Sequence, residues 1–293
     1  MSATSVAGVP RFRLTHSKRV WAVLGLSLGG ALVCLQSAHG AGDLAAVKER
    51  GKLIVGLFPI QGRELASIDL DVMRQQGLKI DQLKRSEHFK GLDIDFMKGF
   101  AEYLGVDLEF RAFANGLKDL LQSVADGGID IATGLVPTPE RRKIVDFSQA
   151  YVRGRTVVIV RRDSKIAAVG DLAGKTAAVM AGSSQVELLR KTVPTAKLKE
   201  ASFILEGLIM VDQGEADYSL VSTGLQSSDQ AVNLLPNLRE AFPFEEHEGA
   251  CAVRRGSDLA SALNDYIAKI KQSGELARML ERNRRTEPKA KTP

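Results

Sequence analysis

The sequence predicts an α/β fold of parallel strands with helices on their faces, and three observations carry that expectation. Short apolar runs bounded by glycine read as strands, segments with apolar residues three and four apart read as helices, and the two kinds alternate along most of the chain. With 293 residues, 44% of them hydrophobic and 26% charged, the chain has the balance of a protein that buries a core. A disordered, collagenous or disulfide-scaffold protein is excluded.

The first forty residues stand apart. A basic stretch from Arg11 to Arg19 precedes an apolar run from Val20 to Leu35, followed by small residues at Ala38 and Gly40. That order reads as a secretory signal segment cleaved before Ala41. The run falls short of the roughly 20 residues a membrane span needs. Cys34 would leave with it, so Cys251 stays alone and no intrachain disulfide can form. Its neighbours Ala250, Ala252 and Val253 suggest a buried strand thiol. The leader also holds Arg11, Arg13, Lys18 and Arg19 and no acid, so 36 of the 40 basic residues remain against all 35 acidic ones. That near-neutral remainder has no overall basic footprint of a nucleic-acid binder.

Along the remainder, Leu53 to Val55 forms a first strand between Gly51 and Gly56. Phe96, Phe100 and Leu104 mark an amphipathic helix that Gly105 stops. Val106, Leu108 and Phe110 alternate as a strand. Asn115 can cap a helix bearing Leu117, Leu120, Leu121 and Val124, and Gly127-Gly128 ends it before a strand at Ile129 to Ile131. The rhythm continues in strands at Thr156 to Val160, Thr176 to Met180 and Tyr218 to Val221. It closes in two helices, one carrying Leu259 to Ile270 and one carrying Leu276 to Leu280; the tail from Arg284 reads as disordered. One connection is long: Ile60 to Lys90, holding a short helix at Leu70 to Gln76, reads either as a lid over a cleft or as surface decoration.

Catalytic constellations are scarce. His88 and His247, the histidines beyond the leader, have no metal-ligating partner nearby in sequence and read as structural, so no metal and no cofactor is expected. Gly174-Lys175-Thr176 ends like a phosphate loop, but the first glycine of that motif would fall on Val169. Beyond the leader, neither a nucleophile elbow nor a dinucleotide fingerprint is present.

Two places look built to hold an anion. After the Ile129 to Ile131 strand, Thr138 as N-cap and Pro139 at the first helical position start a helix whose free N–H groups face the crevice at the strand's carboxyl end. An arginine in that first turn opposes the helix dipole. Two readings stand: an arginine fork aimed at a ligand carboxylate, or Arg141 and Arg142 solvated or paired with Glu140 and Asp146. After the Thr176 to Met180 strand, Ser184 and Glu187 read as a capping box, which leaves Ser183 and the Gly182 amide to reach an anion. Asp217, where the next strand begins, suits either an ammonium or a plain turn.

These residues carry a family resemblance. Asp93-Ile94-Asp95 after Gly91, Thr138-Pro139-Glu140-Arg141 through Val145-Asp146-Phe147-Ser148 to Tyr151, Asp171 to Lys175, Gly182-Ser183-Ser184 and Gly214 to Asp217 occur in order. Together they resemble family 3 solute-binding proteins of polar amino acid ABC importers, from about Leu53 to Asn283. A nearer likeness is to the solute-binding-like sensor region of the membrane-bound lytic transglycosylase F group. It rests on Ala132 to Val136, Asp217-Tyr218, Leu235 to Arg239 with Ala241-Phe242, and Gly274 to Arg278. The sequence to Pro293 holds no murein-cleaving domain, so no transglycosylase activity is expected.

The resemblance implies the periplasmic binding protein type II fold: two α/β lobes joined by two crossover strands, with a ligand cleft between them. Lobe one would be 43–155 plus 249–283, and lobe two 156–248. It implies that Arg141 clamps a ligand carboxylate, that Ser183, with Ser184 beside it, adds a hydroxyl, and that Asp217 receives an α-ammonium. Gly134 and Val136 stand where the family often has hydroxyls and would offer only backbone amides; Phe58 would stand for the aromatic wall. The implied protein is a periplasmic, monomeric receptor that captures an amino acid or small peptide and presents it to an ABC transporter permease. A sensor regulating wall processing or a receptor is the alternative, and a cyclohexadienyl dehydratase-like enzyme a third reading.

Overall fold

The computed structural model describes residues 43–58, 65–77, 79, 82–113, 116–223 and 235–285. The leader with Cys34, Asn115, the tail beyond Arg285 and parts of the Ile60 to Lys90 connection lie outside them.

Helix α1 (Asp43–Arg50) leads into β1 (Lys52–Leu57), followed by β2 (Ser67–Ile68), α2 (Leu70–Gln76) and β3 (Phe89–Lys90). Then come α3 (Leu92–Leu104), β4 (Asp107–Ala112), α4 (Leu117–Ala125), β5 (Ile131–Leu135), α5 (Pro139–Arg142) and β6 (Val145–Phe147). The long β7 (Val152–Arg161) precedes β8 (Thr176–Met180), α6 (Ser184–Thr192), β9 (Lys197–Ala201), α7 (Ile204–Asp212) and β10 (Tyr218–Thr223). The 17-residue β11 (Leu238–Arg254), α8 (Leu259–Gln272) and α9 (Glu275–Arg285) complete the described chain. Among the described residues no helix is long and apolar enough to cross a membrane.

The strands line up as β4-β1-β5-β11-β7-β10-β8-β9, with β6 pairing β11. β1 pairs parallel with β4 and β5, and β8 pairs parallel with β9 and β10, as the alternating rhythm predicts. The antiparallel partners are β7 and β11. They pair with each other from Val152 with Gly249 to Arg161 with Leu238, and at its far end β11 continues onto β5 and β6. Two parallel sheets are thus joined by two long strands running in opposite directions.

Each sheet is covered on both faces, which is why its strands read as near-continuous apolar runs. Around β1, α3 and α8 bury Phe96, Phe100, Leu263 and Ile267 on one face, and α4 buries Leu120 and Val124 on the other. Around β8, α6 contributes Val186 and Leu189 to one core and α7 contributes Leu208 and Val211 to another. α3 stops where expected: Gly105 takes φ 72° and its N–H reaches the Ala101 and Glu102 carbonyls. Cys251 is buried on β11, where its N–H donates to Ser148 Oγ at 3.1 Å and burial pushes the thiol pKa well up.

Some boundaries move. β5 begins at Ile131 rather than Ile129, because Asp130 closes the preceding turn and Ile129 packs beneath it. The cap residue of α4 is Gly116, at φ 119°. In the described part of the long connection α2 spans the expected residues, β2 pairs antiparallel with β3, and Leu83 and Phe89 are buried in the core beside β1.

Candidate functional site

The carboxyl ends of the parallel strands in both sheets converge on one cavity, the place where α/β sheets hold ligands. Gly134 of β5, Val136 and Arg141 line it from the first sheet; Met180, Ser183, Ser184, Gln185, Leu220, Ser222 and Thr223 line it from the second. Leu65, Leu117, Ile204 and His247 of β11 complete the wall.

Arg141 is brought in by its own short helix. Thr138 caps that helix by accepting the Arg141 N–H at 3.3 Å, with Pro139 at its first position, as the sequence predicts. The side chain then turns inward and is 5% exposed. One guanidinium nitrogen donates to the Val136 carbonyl at 3.0 Å and another to the Gly182 carbonyl, across the cavity, at 3.4 Å. Burial pulls its pKa below the ordinary guanidinium range, opposed by the nearby Glu187 carboxylate. Of the two readings left open, solvation and pairing with Glu140 or Asp146 do not describe Arg141. Arg142 is the exposed one, lying 5.3 Å over the Phe147 ring, while Glu140 pairs with Lys143 and Asp146 accepts the Gly256 N–H. A guanidinium has five donors, more than these two carbonyls use, and Arg141 is among the residues lining the cavity.

Ser183, not Ser184, holds the N-cap of α6, with extended φ −75° and ψ 158°. Its hydroxyl makes no capping bond; it is buried without a partner. The expected capping box does not form, because Glu187 is drawn to the other sheet's helix, where it accepts the Thr138 hydroxyl at 3.1 Å. Partial burial and, after it, a hydrogen bond shared with Glu140 push the Glu187 pKa up. Glu187–Thr138 and Arg141–Gly182 therefore both bridge the cavity mouth.

Three expectations are corrected. Asp217 is not at the cavity. Its Oδ2 accepts the Thr176 N–H at 2.7 Å and its own N–H donates to the Thr176 carbonyl at 2.8 Å. The cavity lies at the far end of β10, five residues or about 17 Å away. Asp130 makes the same two bonds to Ile54 in the first sheet, at 2.7 and 2.9 Å, so both acids follow a glycine turn and clamp adjacent parallel strands together. Gly134 lines the cavity, but its N–H is taken by the Tyr151 hydroxyl at 3.0 Å. Phe58 does not line the wall; it packs with Leu117, Leu120 and Leu121 in the core below.

Behind Gly134 lies a buried chain. The Tyr151 hydroxyl donates to Asp93 Oδ1 at 2.5 Å, and burial pushes the Asp93 carboxyl up to about 7, against the hydroxyls of Tyr151 and Thr133. A Cβ on Gly134, whose φ is 66°, would stand 2.7 Å from Asp93 Oδ2, so the strand needs glycine there.

Sequence reasoning missed Gln185, Ser222, Thr223 and His247. The strand signal at Tyr218 to Val221 points to Ser222 and Thr223, since polar residues just past a buried run sit at the carboxyl edge, and Gln185 follows Ser183 and Ser184 at the start of α6. His247 carried no signal. His88 is structural, its Nδ1 accepting the Lys84 and Arg85 N–H groups at 3.1 and 3.2 Å. Among the described residues no group of three or more His, Cys, Asp or Glu gathers to hold a metal.

Comparison with known proteins agrees with this architecture. The sequence profile of the bacterial extracellular solute-binding proteins, family 3, matches residues 80–284. Membrane-bound lytic murein transglycosylase F of Pseudomonas fluorescens strain Pf0-1 is 32% identical over 180 residues, 58% of this chain and 37% of that protein. The virulence sensor protein BvgS of Bordetella bronchiseptica is 29% identical over 171 residues, 57% of this chain and 14% of its own. The match therefore spans little more than a third of the transglycosylase F relative and 14% of BvgS. Among solved structures, a mutant of ArgBP from T. maritima superposes with a TM-score of 0.67 at 25% identity, covering 82% of this chain and 97% of that one. The amino acid ABC transporter substrate-binding protein AbpA from Streptococcus pneumoniae, bound to L-arginine, does so with a TM-score of 0.65 at 26% identity, covering 81% and 96%.

Proposed function

Because the chain belongs to family 3 of the bacterial extracellular solute-binding proteins, we propose that it is a periplasmic receptor that captures an amino acid or small peptide by lobe closure and presents it to an ABC importer. The lobes are 43–155 plus 249–283 and 156–248, and export uses residues 1–40 as a signal peptide. The observation that carries the reading is Arg141, a buried cation whose hydrogen bonds go to two backbone carbonyls, lining the same cavity as the unpartnered Ser183 hydroxyl of the other sheet.

A carboxylate seated between them satisfies both at once. Arg141 comes from the first sheet and Ser183 from the second, so the ligand touches both only when the lobes meet, and it shifts the population toward the closed form. Charge-assisted hydrogen bonds contribute about 1.5 to 3 kcal/mol each, so three or four support micromolar binding, about 8 kcal/mol, after ordering costs. The closed surface is then what a membrane partner reads. The likeness to transglycosylase F and BvgS favours a second reading, in which the same closure is a regulatory signal.

A thermal-shift screen over amino acids and short peptides tests binding. A ligand at a hundredfold over its dissociation constant adds about 2.7 kcal/mol. Arg141→Ala is expected to lower affinity at least a hundredfold, about two charge-assisted bonds, while the empty protein's melting temperature stays nearly unchanged. Full affinity in that variant refutes the carboxylate clamp.

A further inference from the structure

Building on that reading of the cleft, we propose that His247 is a second ligand-contacting residue, and that the ligand is a carboxylate whose nitrogen sits in an amide, an N-acyl amino acid or the carboxyl end of a short peptide. His247 projects from the crossover strand β11 into the cavity that Arg141 and Ser183 line. Its ring is held in place: it lies against Gly154 of the paired crossover strand, where a Cβ would stand 2.7 Å from Cε1. Both ring nitrogens are buried and make no hydrogen bond of good geometry. A buried polar atom without a partner is costly, and two on one ring beside an empty hydroxyl on Ser183 describe a wall that a ligand completes.

The chemistry of that second contact follows from what surrounds it. Burial pushes His247 below the ordinary imidazole range, with the Arg155 carbonyl opposing, so the ring is neutral at pH 7. A neutral imidazole donates from one nitrogen and accepts at the other. An amide supplies the matching carbonyl and N–H. The neighbouring polar groups are likewise uncharged: Gln185 donates to Ser222, and the Thr223 hydroxyl donates to the Arg155 carbonyl at 3.2 Å. Among the described residues Arg141 is the only formally charged side chain of this wall. Among the described residues that line this wall, an ammonium would meet no carboxylate. Of the acids nearby, Glu187 at the cavity mouth is engaged by the Thr138 hydroxyl and faces Arg141, and Asp93 is buried behind Gly134 with the Tyr151 hydroxyl on it. Glu245, Glu246 and Glu248 are exposed along an open groove on the other side of His247, together with Arg153. An open groove screens them.

The test is a matched series. The common amino acids and their N-acetyl derivatives are screened against the full chain by thermal shift at pH 7, and the best pair is titrated by calorimetry. The acetylated member is expected to bind at least tenfold more tightly than its parent. His247→Ala is expected to bring that ratio toward one, and His247→Gln, whose amide still donates and accepts, to retain part of it. Arg141→Ala removes binding of both members. Melting curves confirm that each variant is folded. Equal or tighter binding of the free amino acid overturns the inference and places the ammonium against the Glu245 to Glu248 groove. A ratio unchanged in His247→Ala overturns the contact. If no member of either series binds the wild-type chain, the reading of the cleft as a carboxylate receptor fails as well.

Discussion

Replacing Asp93 by asparagine isolates the one strongly perturbed carboxyl behind the cavity. Asp93 is 2% exposed at the start of α3, with the Tyr151 hydroxyl on its Oδ1. Burial disfavours its charged form and raises its pKa from 3.8 to about 7. The folded chain therefore holds this proton more tightly than the unfolded chain does. The resulting stabilisation is fully present below pH 3.8, declines as pH rises, and is gone above about 7. At 1.36 kcal/mol per pH unit, wild type should lose about 3 kcal/mol between pH 5 and pH 8 relative to Asp93→Asn, which cannot ionise. Urea unfolding of both proteins at the two pH values measures this directly, since every other titrating group is common to them. A constant difference across that range would show that Asp93 is already ionised at pH 5 in the folded protein and refute the reasoning. The consequence reaches the cleft, because Tyr151 connects Asp93 to the Gly134 N–H.

Two further substitutions separate stability from binding. Gly134→Ala places a methyl 2.7 Å from Asp93 Oδ2 at a positive φ of 66°, and is expected to destabilise the fold by about 1–3 kcal/mol; an unchanged urea midpoint would contradict the close approach. Ser183→Ala removes a hydroxyl that has no partner in the empty protein, so stability should hold within about 0.5 kcal/mol while ligand affinity falls about two- to tenfold by calorimetry. Undiminished affinity would take Ser183 out of the site.

Much of the architecture was legible because the local signals agree with the global one. The strand at Thr176 to Met180 and the helix at Leu70 to Gln76 stand where their apolar patterns put them, and Gly105 and Thr138 punctuate their helices as their chemistry requires. Arg141 was singled out because an arginine in the first turn after Thr138-Pro139 works against the dipole and calls for another explanation. The errors are equally specific. Ser184 with Glu187 has the spacing of a capping box, but Glu187 has a competing partner, Thr138, 49 residues away in sequence. Asp217 looked like a ligand acid because its neighbours match the family pattern, and the identical clamp made by Asp130 shows a strand-joining role. Phe58 was assigned to the wall by type, whereas the end of β1 turns it into the core.

By itself the chain's order of residues determined which segments become strands and helices, that parallel strands would carry helices on their faces, and that helix beginnings would lie at strand ends. These follow from periodicity, capping and backbone φ preferences, all of which act within a few residues. Only the tertiary structure decided which polar groups remain without partners once everything is packed. Burial and hydrogen-bond competition depend on atoms far apart in the chain. The free hydroxyl of Ser183, the occupied amide of Gly134, the distant station of Asp217 and the ring of His247 in the cleft are all products of that competition.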